Sequence, residues 1–262
     1  MNEATFTLKD YAAGRDALLG RIVAYLRADR RIAAAWLEGS FGRNEADQVS
    51  DLDLHLAVEN AYSEELCFHP TRRNAGAAPQ RLALISTFGQ PAVIHENHNN
   101  APPGGSFSFV LYTASAVMVD WVLVPLAAAA RLPQSLLLFE KTAIPVRASE
   151  LSQADAQPLN DIPERIAFFW MMAAVSCKFI VRQDDDTVEW FFTVLQKTLG
   201  EVERLVHPDS HRVKKPVSGS QAEILLKFCN QMNGLAQEAS NTGVEITPFP
   251  RQEINTLVNL ST

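Results

Sequence analysis

The run Asp51-Leu52-Asp53-Leu54-His55-Leu56-Ala57-Val58 alternates strictly between polar and apolar residues over its first six positions. Strict alternation predicts a half-buried strand over 51–58, with Asp51, Asp53 and His55 on one face and the leucines on the other. Two residues of strand advance about 6.6 Å. Two carboxylates at that spacing can hold a divalent metal between them. Hard oxygen ligands suit Mg²⁺, which also keeps waters and phosphate oxygens in its shell. An Asp-x-Asp pair alone is a weak signal, because a solvated strand face has the same appearance.

Two further features strengthen it. Upstream lies Leu37-Glu38-Gly39-Ser40-Phe41-Gly42-Arg43, where Gly39-Ser40 closes a short apolar run. A glycine there lets the backbone approach an anion closely. Backbone N–H groups and the Ser40 hydroxyl can then bind phosphate oxygens, and Arg43 can add a charge-assisted contact. Turn chemistry is the alternative reading for Ser40, and a solvated loop charge stands level with a phosphate contact for Arg43. Downstream, Asp120 is the one ionisable residue in the apolar run Val117–Val124. A buried lone carboxylate is costly unless it is paired, protonated or bound to a cation. If that run lies beside strand 51–58, Asp120 completes a three-carboxylate site.

Other polar residues carry weaker signals. His55 shares the aspartate face, and a structural histidine is the plainer reading. His95 and His98 flank Glu96 and Asn97 in HENH, which is not the HExxH zinc motif; Glu96 ends a candidate strand within reach of the site. His207 and His211 are separated by Pro208 and do not share a regular helix face. Lys178 and Arg182 stand one helical turn apart, as solvated charges or as a phosphate contact. Glu164 and Glu189 are early-helix acids that favour the helix dipole; either is an alternative proton acceptor. Neither GxSxG nor GxxxxGK[ST] occurs, so serine-hydrolase and P-loop chemistry have no support.

These residues need elements to position them. An amphipathic helix is predicted over 8–29, from Leu8, Tyr11, Leu18, Leu19, Ile22, Val23 and Leu26. Strands are predicted at 32–38, 51–58, 92–96, 107–113 and 116–124. Residues 39–50 and 97–106 read as loops, and helices are predicted near 63–68 and 73–88. Beyond about residue 145 only helices are expected, at 162–182, 186–206, 219–240 and 250–260. Asp161 with Pro163 makes a good helix start. The stripe Ile166, Phe169, Trp170, Ala173, Val175, Cys177 and Ile180 suggests a bundle helix. The expectation is an α+β or α/β unit over residues 1–150 and a helical unit over 151–262.

Composition sets limits on function. The 262 residues carry 23 Lys and Arg against 30 Asp and Glu, a formal net charge of −7, with 47% apolar residues. That is the profile of a globular protein with a sizeable core. The acidity counts against a general nucleic-acid binder, which needs a cationic face. Cys67, Cys177 and Cys229 are scattered and form no CxxC pair, as expected of a reducing cytoplasm. The opening residues show no secretory pattern. The longest apolar stretch, 114–130, is interrupted by Asp120 and Pro125 and is too short to span a bilayer. Asn259-Leu260-Ser261 then reads as a chance glycosylation triplet.

A Gly-Ser pair, a spacer of about ten residues, an Asp-x-Asp strand and a later strand with an isolated Asp resemble the polymerase-β-like nucleotidyltransferase superfamily. The stretch GSFGRNEADQVSDLDL looks most like the lincosamide and aminoglycoside nucleotidyltransferases, which also follow the catalytic domain with a helical bundle. The resemblance covers about 32–58, extends to 116–125, and is architectural beyond 150. It implies that Gly39 and Ser40 bind the triphosphate, and that Asp51, Asp53 and Asp120 hold Mg²⁺, two ions in all. Glu38 departs from the pattern, which usually has an aromatic or apolar residue there.

The activity so implied is transfer of a nucleoside monophosphate, AMP for preference, from an NTP to a hydroxyl of a small molecule, with release of pyrophosphate. An antibiotic acceptor would make it a resistance enzyme. The expected nucleotide contacts are Gly39, Ser40, Arg43 and Lys178. No nucleic-acid polymer or membrane partner is expected, and a homodimer is allowed. The alternatives are nucleotidylation of a protein partner, as in regulators or antitoxins, and a non-catalytic nucleotide-binding relative.

Overall fold

The computed structural model describes residues 6–67, 79–96, 98–148, 159, 161–208 and 218–260. The chain divides into two compact units, Thr7–Pro158 and Leu159–Thr262, the second also taking in Phe6.

The first unit opens with α1 (Leu8–Ala28). Thr7 caps it by accepting from Asp10 N–H at 3.2 Å, while the Asp10 carboxylate accepts from Thr7 N–H at 3.0 Å, so two end donors satisfy each other's residues. Tyr11, Leu18, Ile22 and Leu26 form its buried stripe. Next come β1 (Ile32–Leu37), α2 (Gly39–Gly42), β2 (Leu52–Val58), α3 (Ser63–Leu66), α4 (Pro79–Ser86), β3 (Pro91–Glu96), β4 (Ser106–Tyr112), β5 (Met118–Pro125) and β6 (Leu136–Glu140). The six strands form one sheet in the order β3-β4-β5-β2-β1-β6. The β2/β5 pair is parallel and every other pair is antiparallel.

The alternation read from the sequence sets the two faces of this sheet. Leu52, Leu54 and Leu56 are fully buried and lie in register with Val119, Trp121 and Leu123. Trp121 stacks on Phe88, which meets Tyr25 of α1 edge-on, so this is the face that the helices cover. Asp53 and His55 are half-buried on the opposite face.

Three expectations need correction. The stretch 39–50 is not loop throughout, because its first four residues make the turn of α2. Asp51 precedes β2 rather than lying within it. A sixth strand, β6, was not anticipated: only Phe139 of its five residues is buried, so the segment lacks both alternation and a continuous buried run. The helix expected over 73–88 appears as α4; residues 73–78 lie outside the described set.

The second unit holds α5 (Ile162–Arg182), α6 (Asp185–Val206), α7 (Gln221–Ser240) and α8 (Arg251–Asn259). The Asp161 carboxylate accepts from Glu164 N–H at 2.9 Å, the cap read from the sequence. Helix α5 packs on α6, α7 and α8 and buries Ile166, Phe169, Trp170, Ala173, Cys177 and Ile180. Val175 is only half-buried, and Ala174 and Ser176 take its place in the stripe. A mixed sheet with helices followed by a helical region is the α+β architecture that was expected. Among the described residues, no helix is long and apolar enough to cross a membrane.

Candidate active site

A cleft of about 360 Å³ opens on the sheet face that carries Asp53. Its floor follows from strand register. Asp53 pairs with Asp120 and His55 with Val122 across the parallel β2/β5 ladder, and Phe107 of β4 lies opposite Val122. All five residues line the cleft. Neighbours in register on one face stand side by side about 5 Å apart, so the two aspartates are brought together by the backbone pairing alone.

Gly39 closes the other side of Asp53. The end of β1 is tied to β2 by Glu38 N–H donating to the Asp53 carbonyl at 3.1 Å. The chain then turns through Gly39 at φ +57°, the left-handed region that favours glycine. A Cβ at Gly39 would lie 1.9 Å from Asp53 Oδ2 and 2.6 Å from its Cγ. The carboxylate is therefore seated directly against the glycine Cα.

The loop from α2 to β2 is held from α1. Arg15, buried, donates through one Nη to the carbonyls of Asp47 at 2.8 Å and Ser50 at 3.0 Å. Its guanidinium also lies 4.8 Å from the Phe41 ring centre. One side chain thus braces both ends of the segment between Gly39 and Asp51. The Asp47 carboxylate adds bonds from Val49 N–H and Ser50 Oγ, the local pattern expected of an Asx turn.

Glu38, noted in the sequence only as a departure, is a hub of the cleft wall. It is buried, and its Oε1 accepts from Trp36 Nε1 at 3.0 Å and from Leu132 N–H at 3.4 Å. Arg147 reaches both carboxylate oxygens at 3.4–3.5 Å. His55 Nε2 stands 3.7 Å from Oε2, and its ring stacks on Trp36. Burial pushes the His55 pKa down to about 4 against the pull of the Glu38 charge, with Arg147 adding to the decrease. Near neutral pH the His55–Glu38 contact is therefore not an ion pair. Glu38, His55 and Arg147 all line the cleft.

The remaining anticipated residues fall in several places. Arg43 lines the cleft, and its Nε is engaged by Glu45 at 2.7 Å on an exposed edge. Ser40 and Asp51 are half-buried beside lining residues and are not themselves in the lining. Glu96 is committed elsewhere: Arg81 grips it through two bonds of 2.6 and 2.8 Å, and Ser108 Oγ donates to it at 2.7 Å. His95 is buried, and its pKa is lowered to about 4 by burial. Lys178, Arg182, Glu164 and Glu189 belong to the helical unit. Lys178 is buried there rather than solvated. His207 pairs with Glu238 at 2.6 Å; His211 lies outside the described residues.

Among the described residues, no group of three or more His, Cys, Asp or Glu is arranged to hold a metal ion. What the geometry does supply is a pair of hard carboxylate donors, Asp53 and Asp120, in one cleft, with the Asp53 carboxylate seated where a Cβ on Gly39 would displace it. That donor set fits a cation such as Mg²⁺, which takes one or two carboxylates and fills its other positions with water and substrate oxygens.

No protein-family model and no curated protein matches the chain. Among solved structures, it is similar to the CdnE cyclic dinucleotide synthase of Elizabethkingia meningoseptica, determined with GTP and Apcpp. The match has 12% identity and a TM-score of 0.29, covering 98% of this chain and 97% of that one.

Proposed function

We propose that the chain is a metal-dependent nucleotidyltransferase that moves a nucleoside monophosphate, AMP for preference, from an NTP to a hydroxyl of a small acceptor. The observation that carries this reading is the convergence of Asp53, Asp120 and Gly39 in one cleft. The sequence places these residue types in the nucleotidyltransferase order, and β-strand register makes two of them neighbours.

Asp53 and Asp120 hold the divalent cation, with Asp51 as the adjoining third acid. A divalent cation held by these carboxylates would lower the pKa of the attacking hydroxyl and offset charge on the phosphoryl oxygens. Gly39, whose missing Cβ makes room for the Asp53 carboxylate, also lines the cleft, and its backbone with Ser40 and Arg43 supplies donors for phosphate at the same turn. The acceptor oxygen forms a bond to the α-phosphorus, the bond from that phosphorus to the pyrophosphate oxygen breaks, and the hydroxyl proton passes to a carboxylate. Asp120 is the carboxylate assigned to receive it, since Glu96 is already held by Arg81 and Ser108. An antibiotic is one class of acceptor.

The test is a pyrophosphate-release screen with each of the four NTPs and Mg²⁺ against panels of aminoglycosides and lincosamides. Release that needs both Mg²⁺ and an acceptor is the expected result. Labelling of protein bands in a lysate supplied with labelled ATP, without transfer to small molecules, would replace the acceptor class. Nucleotide binding with no metal dependence would overturn the enzyme reading.

A further inference from the structure

We propose that Arg147 binds the phosphate chain of the nucleotide, a role that rests on the nucleotidyl-transfer reading of the cleft. Arg147 lies beyond the last strand, 109 residues from the Glu38 it contacts. It is brought to the cleft by backbone pairing: its N–H donates to the Arg131 carbonyl at 2.9 Å, and Arg131 N–H donates to Pro145 O at 3.0 Å. The same stretch of chain supplies Leu132, Gln134 and Ser135 to the cleft wall.

Three observations point to an anion there. The guanidinium lines a cleft that also holds Asp53 and Asp120. Its contacts to Glu38, at 3.4–3.5 Å, are longer than the 2.7–2.9 Å of a strong N–H to carboxylate bond. Its Nε is buried and meets no hydrogen-bond partner among the described residues. A guanidinium offers five donors in a planar fork matched to carboxylate and phosphate, and among the described residues only Nη2 of this one makes a side-chain contact, the long one to Glu38. Glu38 supplies enough charge to keep the cation in place without saturating it. Glu38 is itself fixed by Trp36 and Leu132, so the fork is held at a defined height on the wall. A triphosphate is the anionic part of the substrate class already assigned to this cleft, and it brings oxygens of the right geometry.

The experiment is calorimetric titration of the full chain with ATP and with adenosine, in Mg²⁺, for wild type, Arg147→Gln, Arg147→Lys and the double variant Glu38→Gln/Arg147→Gln. The double variant removes the guanidinium without leaving a buried carboxylate that has lost its cation, and melting curves check each fold. The expected result is a loss of ATP affinity of about 10- to 100-fold in Arg147→Gln and in the double variant, the size of a lost charge-assisted hydrogen bond. Arg147→Lys falls in between, and adenosine affinity is unchanged throughout. ATP affinity within twofold of wild type in both glutamine variants overturns the assignment while leaving the nucleotidyl reading standing. An equal loss for ATP and adenosine also overturns it, because it marks a structural role. If the wild-type chain binds no NTP, the nucleotidyl reading falls and the assignment falls with it.

Discussion

Asp53 Oδ2 lies 1.9 Å from the point where a side chain on Gly39 would begin. No side chain can share that space, so the position of the carboxylate and the absence of a Cβ are one feature. It links the end of β1 to the middle of the cleft floor and couples the two halves of the motif read from the sequence. The left-handed turn at Gly39 adds a second, independent demand for glycine.

Gly39→Ala should therefore disable the site more than the fold. The backbone penalty for a left-handed alanine is about 1–2 kcal/mol, a shift of several degrees in melting temperature. The displaced carboxylate should cost nucleotidyl transfer about 100-fold or more. Melting curves and pyrophosphate release, measured on one preparation, separate the two. Wild-type turnover in Gly39→Ala would show that Asp53 does not need its present position.

The three acids should differ in weight. Asp53→Asn and Asp120→Asn remove the two carboxylates that line the cleft, and pyrophosphate release should fall to background in each with the far-UV spectrum unchanged. Asp51→Asn should cost less, because Asp51 stands outside the lining. Full transferase activity in Asp53→Asn would remove the metal-site assignment.

Register explains why this much could be read in advance. The alternation of DLDLHL and the isolated Asp120 both report burial on a sheet, and they needed only one pairing, β2 beside β5, to become a site. The rest depends on contacts that sequence order does not signal. Arg147 meets Glu38 across 109 residues. Arg15, on α1, grips carbonyl groups 32 and 35 residues away, and backbone acceptors leave no trace in residue types. β6 escaped notice because an edge strand that buries only Phe139 has no pattern to recognise. Glu96 misled in the opposite way: its place at the end of a strand suggested the site, while Arg81 on α4 claimed it.

That pairing predicts a division between stability and activity. Arg81 is fully buried, so Glu96→Gln leaves a buried cation with a neutral partner, and breaking such a pair costs about 3–5 kcal/mol. The melting temperature of Glu96→Gln should fall clearly, while pyrophosphate release per folded molecule stays within a few-fold of wild type. A loss of turnover with unchanged melting would instead make Glu96 the proton acceptor.

Acid should destabilise the sheet unit through its histidines. His55 and His95 are held neutral by burial, each lowered from 6.5 to about 4. Between those values the unfolded chain binds protons that the folded one refuses. Stability is therefore complete above about pH 6.5 and declines as pH falls toward 4, by at most about 1.4 kcal/mol per pH unit for each histidine. Melting curves from pH 7 to pH 4 should show the decline, and His95→Asn should flatten it. Parallel curves for wild type and His95→Asn would contradict the buried neutral imidazole.

Arg15 offers the last test, because it acts on the site only through the loop it holds. Arg15→Gln removes a buried cation from the carbonyls of Asp47 and Ser50 and from the face of Phe41. The segment joining Gly39 to Asp51 then loses its anchor to α1, while β2 and β5 keep their ladder and Asp53 stays beside Asp120. Metal affinity, read by Mn²⁺ titration, should change little. The rate of transfer should fall about 10- to 100-fold, since misplacement of about 1 Å is enough for such a loss. Arg15→Lys should recover only part of it, because a compact ammonium lacks the flat guanidinium that lies 4.8 Å from the Phe41 ring centre. A variant that loses Mn²⁺ binding as well would show that the loop, and not the β2/β5 register, places the carboxylates.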